Sequence, residues 1–347
     1  MKIAIYQHKG YFSDRWIQYC EANNIEYRLV NPYQKDIVAQ VEDCDAFMWQ
    51  IGQTNYRDLK FGKSILFSLQ QKGTSVFPDF NTCWHFDDKV AQKYLLESIG
   101  APLVPSYVFY SEKDALDWAA ITEFPKVFKL KGGAGSMNVQ LVHNRNEAEK
   151  LIRQCFGKGF PQYRWQDQFR ENFNKYKKGK RSLRDVLRPI KYAFKKYPNE
   201  LSHFLQNEIG YAYFQDFIPN NTFDIRVCVV GNKAFALKRL TRDGDFRASG
   251  SGSIVYDKQQ IDERCVKIAF EVNKKLKAQS LAFDFVFDEN NNPLIVEISY
   301  GYAAKAYDVC EGYWTDDMQW HQGTHFDFCG WMVENLIKQV SQNGQEQ

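Results

Sequence analysis

Short blocks of apolar and polar positions alternate along the first part of the chain. Ile3 to Tyr6, Glu26 to Val30, Ala46 to Gln50 and Ser75 to Phe77 read as strands, while Asp14 to Ala22 and Tyr56 to Gln71 have helical spacing. This rhythm predicts a small parallel α/β domain ending near Pro78. Lys89 to Ser98 then predicts a helix closed by Gly100, and Pro102 and Pro105 force an extended exit. From Pro125 the period falls to two in KVFKL and VQLV, separated by the glycine turn KGGAGSMN. Asn146 followed by Glu149 has the spacing of a helix cap leading into Leu151 and Ile152.

Residues 156–208 are rich in Lys, Arg, Tyr and Phe, with Leu183, Val186, Leu187 and Ile190 at helical spacing and a break expected near Pro189. Strand texture returns in YAYFQDFI, DIRVCVVG and KAFALKRL, followed by a helix over Asp262 to Lys277. LAFDFVFDENNNPLIVEIS then predicts a hairpin, because ENNNP supplies turn residues between two alternating runs.

Composition narrows the class. With 347 residues, 44% apolar and 25% charged, the chain is a folded globule of two or three lobes. No apolar run approaches the roughly 20 residues that span a bilayer, and no signal-peptide pattern precedes the first strand, so a cytoplasmic protein is predicted. The eight cysteines are scattered without CxxC pairs, which predicts reduced thiols rather than a zinc knuckle or a disulfide framework. Net charge is only +3, yet Lys158 to Asn207 holds 13 Lys/Arg against 4 Asp/Glu, a local +9. That asymmetry points to an anionic partner.

The candidate chemistry starts in the hairpin. Pairing across its turn would bring Asp284 and Glu297 to one end of a sheet, where two carboxylates suit Mg²⁺ that keeps waters and binds nucleotide phosphates. Lys129 precedes the glycine turn, whose free amides can approach phosphate closely. His321 and His325 have the spacing of a zinc-protease helix, but Gln322 replaces the required Glu and Gly323 disfavours a helix, so they are expected to be ordinary histidines. His8 follows the first strand, at the crevice end of an α/β sheet.

Over about residues 85 to 300 the chain resembles the ATP-grasp superfamily, in particular its branch of ribosomal-protein glutamate ligases and glutathione synthetases. The resemblance is carried by DDKVAQKYLLESIGAPLVP, FPKVFKLKGGAGSMNVQLV, YFQDFIPNNTFDIRVCVVGNKAFALKRLTRDGDFRASGSG and LAFDFVFDENNNPLIVEIS. It implies a Rossmann-like α/β domain over 1–84 and two α+β lobes, 85–214 with a basic helical insertion at 156–208 and 215–347, that sandwich ATP. It further implies ATP contacts from Lys89, Lys129, the loop Gly132, Gly133, Ala134, Gly135 and Ser136, then Gln215, Asp216, Phe217, Ile218 and Asp224. Lys238 and Arg247 would act on the phosphates, with Arg226 supporting the site.

Two Mg²⁺ or Mn²⁺ ions would sit on Asp284, Glu297 and Ser299, the last standing where the family usually has Asn. Tyr300-Gly301-Tyr302 replaces the usual Pro-Gly, and the aromatic run from Tyr300 to Trp314 reads either as a substrate wall or as filler between lobes. The implied reaction joins a carboxylate to an amine through an acyl phosphate, releasing ADP and phosphate. Its rivals are phosphorylation of a hydroxyl and an ATP-binding regulator that binds polyanions. The basic stretch suggests a large anionic acceptor, such as a uronic-acid glycan or its lipid-linked precursor, and a homo-oligomer is compatible with the sequence.

Overall fold

The computed structural model describes residues 1–133, 138–161, 169, 172–173, 176–177, 179, 181–192, 200–242 and 244–343. Most of the basic insertion, and Ala134, Gly135 and Ser136 of the glycine loop, lie outside these residues. The chain divides into two compact units. One comprises residues 1–52, 58–104 and 218–347, and the other residues 53–57 and 105–217.

In the first unit, strands β1 (Lys2–Ile5), β2 (Glu26–Leu29), β3 (Ala46–Met48) and β4 (Ser75–Phe77) form a parallel sheet in the order β2-β1-β3-β4. The helices Phe12–Ala22 and Lys63–Gln71 pack against it, the second entered through a wider helical turn at Asp58–Gly62. The helix Lys89–Ser98 is capped by Asp88, whose carboxylate accepts from the Ala91 N–H.

The second unit is built on an antiparallel sheet. Its strands are β5 (Ser106–Phe109), β6 (Lys126–Lys129), β7 (Val139–Val142) and β8 (Ala212–Asp216), ordered β5-β8-β6-β7. The helices Glu112–Ile121 and Arg145–Phe156 bury Ala115, Ala119, Ala148, Leu151 and Ile152 against Phe128 and Phe214 of one face. The second of these helices starts two residues earlier than the sequence cap predicts: Asn144 caps it, accepting from the Glu147 N–H. Both spacings obey the same three-residue rule, and the earlier one directs Ala148 and Leu151 into the core.

The chain then returns to the first unit as a larger sheet. It contains β9 (Phe223–Val230), β10 (Lys233–Leu240), β11 (Ile254–Val255), β12 (Ser280–Phe287), β13 (Pro293–Ser299), β14 (Gly312–Thr315) and β15 (Trp320–Gln322), ordered β13-β12-β9-β10-β14-β15 with β11 on β10. The helix Glu263–Leu276 is capped by Asp262 and ends at Lys277 in the left-handed conformation, φ 53°. Alternation sorts the strands onto two faces. Ile225, Val227, Val229, Ala234, Ala236, Phe283 and Phe285 face that helix, with Cys265, Val266, Ala269 and Val272 in the same core. Cys228, Val230, Phe235, Leu237 and Ala282 face the other way, against Tyr302, Tyr307 and the helix Phe328–Asn343.

Tyr300, Tyr302, Tyr307 and Trp314 are all buried, so the aromatic run is core rather than an open wall. The eight cysteines are buried and free. Among the described residues, no helix is long and apolar enough to cross a membrane.

Candidate active site

The predicted hairpin forms, and β12 and β13 pair so that Asp284 stands directly opposite Glu297 and Ala282 opposite Ser299. The register slips after Asp284, where Phe285 pairs with Ile295 and Val296 is the extra residue of a bulge. Next to Asp284 in the sheet lies Arg226 of β9, and Asp224 pairs in register with Arg239 of β10. All are on the face of Leu237 and Ala282, and four charges meet there. Arg226 grips Asp284 with both ends, Nε to Oδ1 at 2.5 Å and Nη2 to Oδ2 at 2.6 Å. Arg239 grips Asp224 at 2.7 and 2.6 Å, and its Nη2 also lies 2.9 Å from Asp284 Oδ2.

Burial makes this arrangement consequential, because Asp284 is 8% and Arg239 7% exposed. Burial alone would raise the Asp284 pKa, but Arg226 and Arg239 overcome it and hold the carboxyl below the usual range. For Asp224 the balance tips the other way, with burial raising its pKa against the pull of Arg239. A bidentate guanidinium fixes a carboxylate in angle as well as in charge. Asp284 is therefore an aimed, ionised oxygen donor.

Glu297 is reached from the start of the helix Lys89–Ser98, whose buried Lys89 places Nζ 3.3 Å from Glu297 Oε1. Burial pulls the Lys89 pKa down, and the Glu297 charge outweighs it, so the ammonium is retained. The Ser299 hydroxyl donates to the Gly301 carbonyl at 3.0 Å and accepts from the Gly301 N–H. It closes a turn. Among the described residues no group of three or more His, Cys, Asp or Glu is placed to hold a metal. His321 lies on β15, stacked on Tyr313, and His325 sits at φ 61° beyond the strand, so the two do not share a helix.

Lys238 and Arg239 are neighbours in sequence and lie on opposite faces of β10. The Lys238 ammonium lies 4.0 Å above the Phe223 ring and 3.4 Å from Gln260 Oε1, on the face away from Asp284. Arg239 was not singled out in the sequence. The signal was present: in KAFALKRL it shares the phase of Phe235 and Leu237, and a cation in a buried phase demands a partner. Arg247 closes on Asp245 two residues earlier, with Nη2 2.6 Å from Oδ2.

In the second unit Lys129, 5% exposed, donates to Gln215 Oε1 at 2.5 Å, and Gln215 Nε2 donates to Ser106 at 3.0 Å. Asp216 falls on the opposite face of the sheet, paired at 2.6 Å with Lys126. Phe217 ends this unit and Ile218 opens the next stretch of the first. Gly132 and Gly133 leave β6 directly, and Gly133 takes φ 118°, which only glycine adopts without strain. The structure thus gathers Lys89, Asp224, Asp284 and Glu297 in one unit and Lys129 with Gln215 in the other.

Residues 193–309 match the RimK-like ATP-grasp domain, a span that contains β9, β10 and the carboxylate hairpin. Comparison with curated proteins gives no match. A RimK domain ATP-grasp protein from Sphaerobacter thermophilus aligns over 97% of this chain and 100% of its own, at 14% identity and TM-score 0.54. D-alanine–D-alanine ligase from Bacillus anthracis aligns over 99% of each chain at 12% identity and TM-score 0.54. The biotin carboxylase domain of Hydrogenobacter thermophilus 2-oxoglutarate carboxylase, in complex with MgADP, ADP and bicarbonate, aligns over 97% of this chain and 69% of its own, at 14% identity and TM-score 0.59. At these identities the likeness shows the fold, which is ATP-grasp.

Proposed function

We propose that this ATP-grasp protein is an ADP-forming ligase that joins a carboxylate to an amine through an acyl phosphate. The observation that carries the reading is the opposed pair Asp284 and Glu297, backed by Arg226 and Arg239, inside the span that matches the RimK-like ATP-grasp domain.

This donor set fits Mg²⁺, which takes one or two carboxylates and fills its remaining positions with water and phosphate oxygens. Because the Ser299 hydroxyl is committed to Gly301, Asp284 and Glu297 are the residues that would hold the ion. When bound, Mg²⁺ offsets charge on the phosphate oxygens of the nucleotide. The chain's own residues do the rest. Arg226 and Arg239 keep Asp284 ionised and aimed, and Lys89 and Lys129 supply positive charge to the phosphates. Asp224 is assigned to the ribose, Gln215 to the adenine side, and Arg247 to the transferring phosphoryl group once Asp245 yields it.

A substrate carboxylate oxygen attacks the γ-phosphorus and ADP leaves. The amine nitrogen then attacks the acyl carbon, loses a proton, and expels phosphate. Preorganised cations are the main source of rate in such a site. The anionic glycan suggested by the basic stretch gains no support from the comparisons and is left out.

Hydroxylamine tests the reading. With ATP, Mg²⁺ and a panel of carboxylates, the acyl phosphate is trapped as a hydroxamate, and turnover with an amine yields ADP and phosphate in equal amounts. Lys129→Ala, Asp284→Asn and Glu297→Gln each abolish this turnover in folded protein. A stable phosphorylated product without free phosphate would instead assign phosphotransfer to a hydroxyl.

A further inference from the structure

The mechanism leaves unused a polar cluster at the carboxyl ends of the N-terminal parallel strands. The strand order β2-β1-β3-β4 reverses direction between β1 and β3, and open α/β sheets bind ligands in the crevice outside such a point. Tyr6 and His8 follow β1, Tyr33 follows β2, and Trp49 and Gly52 follow β3. Their rings meet there. Tyr6 lies 5.7 Å from Tyr33 and 5.6 Å from Trp49, both edge-on, and His8 stacks on Tyr11 at 3.9 Å.

Beneath them is Asp58, fully buried. One of its oxygens accepts from the Tyr33 hydroxyl and the other from the Gly52 N–H at 2.6 Å, so both act as acceptors, as in an ionised carboxylate. Gly52 is required: a Cβ there would stand 3.0 Å from Tyr11 Oη and 3.3 Å from Asp58 Oδ2. The buried His8 Nδ1 has no hydrogen-bond partner. The cluster is tied to the carboxylate hairpin, because the Ile51 N–H donates at 2.8 Å to the hydroxyl of buried Tyr300, the residue after Ser299.

We propose that the Asp58 cluster is a subsite for an organic ammonium group, with the half-buried faces of Tyr6, His8, Tyr11 and Tyr33 as its rim. A carboxylate beneath aromatic rings sets up a field that favours a cation over a neutral or anionic ligand, and the quadrupoles of the rings add to it. Within the ligase reading, on which this rests, the ammonium is the amine substrate before it loses its proton.

Tetramethylammonium chloride is the probe, titrated into the full chain and followed by tryptophan fluorescence against sodium chloride of equal ionic strength. A saturable change specific to the organic cation is expected, weakened by about tenfold in Asp58→Asn. Tyr6→Leu and Tyr33→Phe, which leave the carboxylate in place, weaken it less, and they carry the test if Asp58→Asn loses its circular dichroism spectrum. A wild-type response no different from sodium chloride, or one unchanged in the folded variants, overturns the proposal. Hydroxamate formation without cation binding sinks the subsite alone, and cation binding without hydroxamate sinks the ligase reading alone.

Discussion

Arg247 and Arg239 both hold aspartates with both ends of the guanidinium, and in bond length they are indistinguishable: Nη2 to Oδ2 is 2.6 Å in each. Arg247 reaches back two residues to Asp245 within a loop. Arg264 does the same to Asp262 at the start of a helix, again at 2.6 Å, so this pairing follows from the local Asp-x-Arg backbone and recurs wherever that backbone does. Arg239, by contrast, joins Asp224 of β9 and Asp284 of β12 from β10, and exists only when three strands are in register. The difference teaches that distance measures geometry, whereas burial and assembly decide what an ion pair costs to break. Removing one member of a buried set leaves the others as uncompensated charges, but a looser pair near the surface is replaced by water.

Arg239→Met is expected to have the largest effect, lowering stability to urea by about 3–5 kcal/mol. A loss indistinguishable from that of a surface arginine would erase the distinction. Next is pH. The folded Asp284 carboxyl lies below the unfolded value of about 3.9. Its contribution is therefore present above about pH 4 and is lost as the pH falls through the folded pKa. Asp224 has the opposite sign: its pKa is raised by burial, so its contribution is present at low pH and is lost as the pH rises through that raised value. Melting temperatures across the acid range should thus fall less steeply in Asp284→Asn and more steeply in Asp224→Asn. If both substitutions change the slope in the same direction, the two aspartates do not differ in this way.

Arg247→Gln should cost under about 1 kcal/mol of stability, yet lower the maximal rate of hydroxamate formation by about 100-fold or more. That split would show a local pair serving chemistry rather than folding, and equal losses in both would deny it. Smallest of all, Arg264→Ala should leave the melting temperature unchanged within error, despite bond lengths matching those of Arg247.

The same division explains what could be read from the sequence. The hairpin was legible because its turn residues and alternation are local, and so was the opposition of Asp284 and Glu297 across it. Helix starts were legible to within a shift, as Asn144 in place of Asn146 shows. Arg239 was missed because its partners lie on other strands and its neighbour Lys238 looks equivalent until the pleat assigns each to a face. Ser299 looked like a ligand because nothing in the string EISYGY reveals that its hydroxyl turns back to Gly301. Asp58 was missed for a related reason: its setting is assembled from loops following three different strands, and no short window contains it.

The bulge at Val296 sets the phase of the catalytic strand. In LIVEIS the two core isoleucines, Ile295 and Ile298, are three residues apart, and strict alternation cannot bury both. The extra residue absorbs the mismatch, so that Glu297 and Ser299 fall on the face of Asp284 while both isoleucines stay inside. The strand is therefore tolerant of length at one place only. Deleting Val296 would leave a regular strand with Glu297 still opposite Asp284. Deleting Ile298 instead would carry every later side chain to the wrong face, Tyr300 among them, and so detach the strand end from Ile51 and the N-terminal sheet.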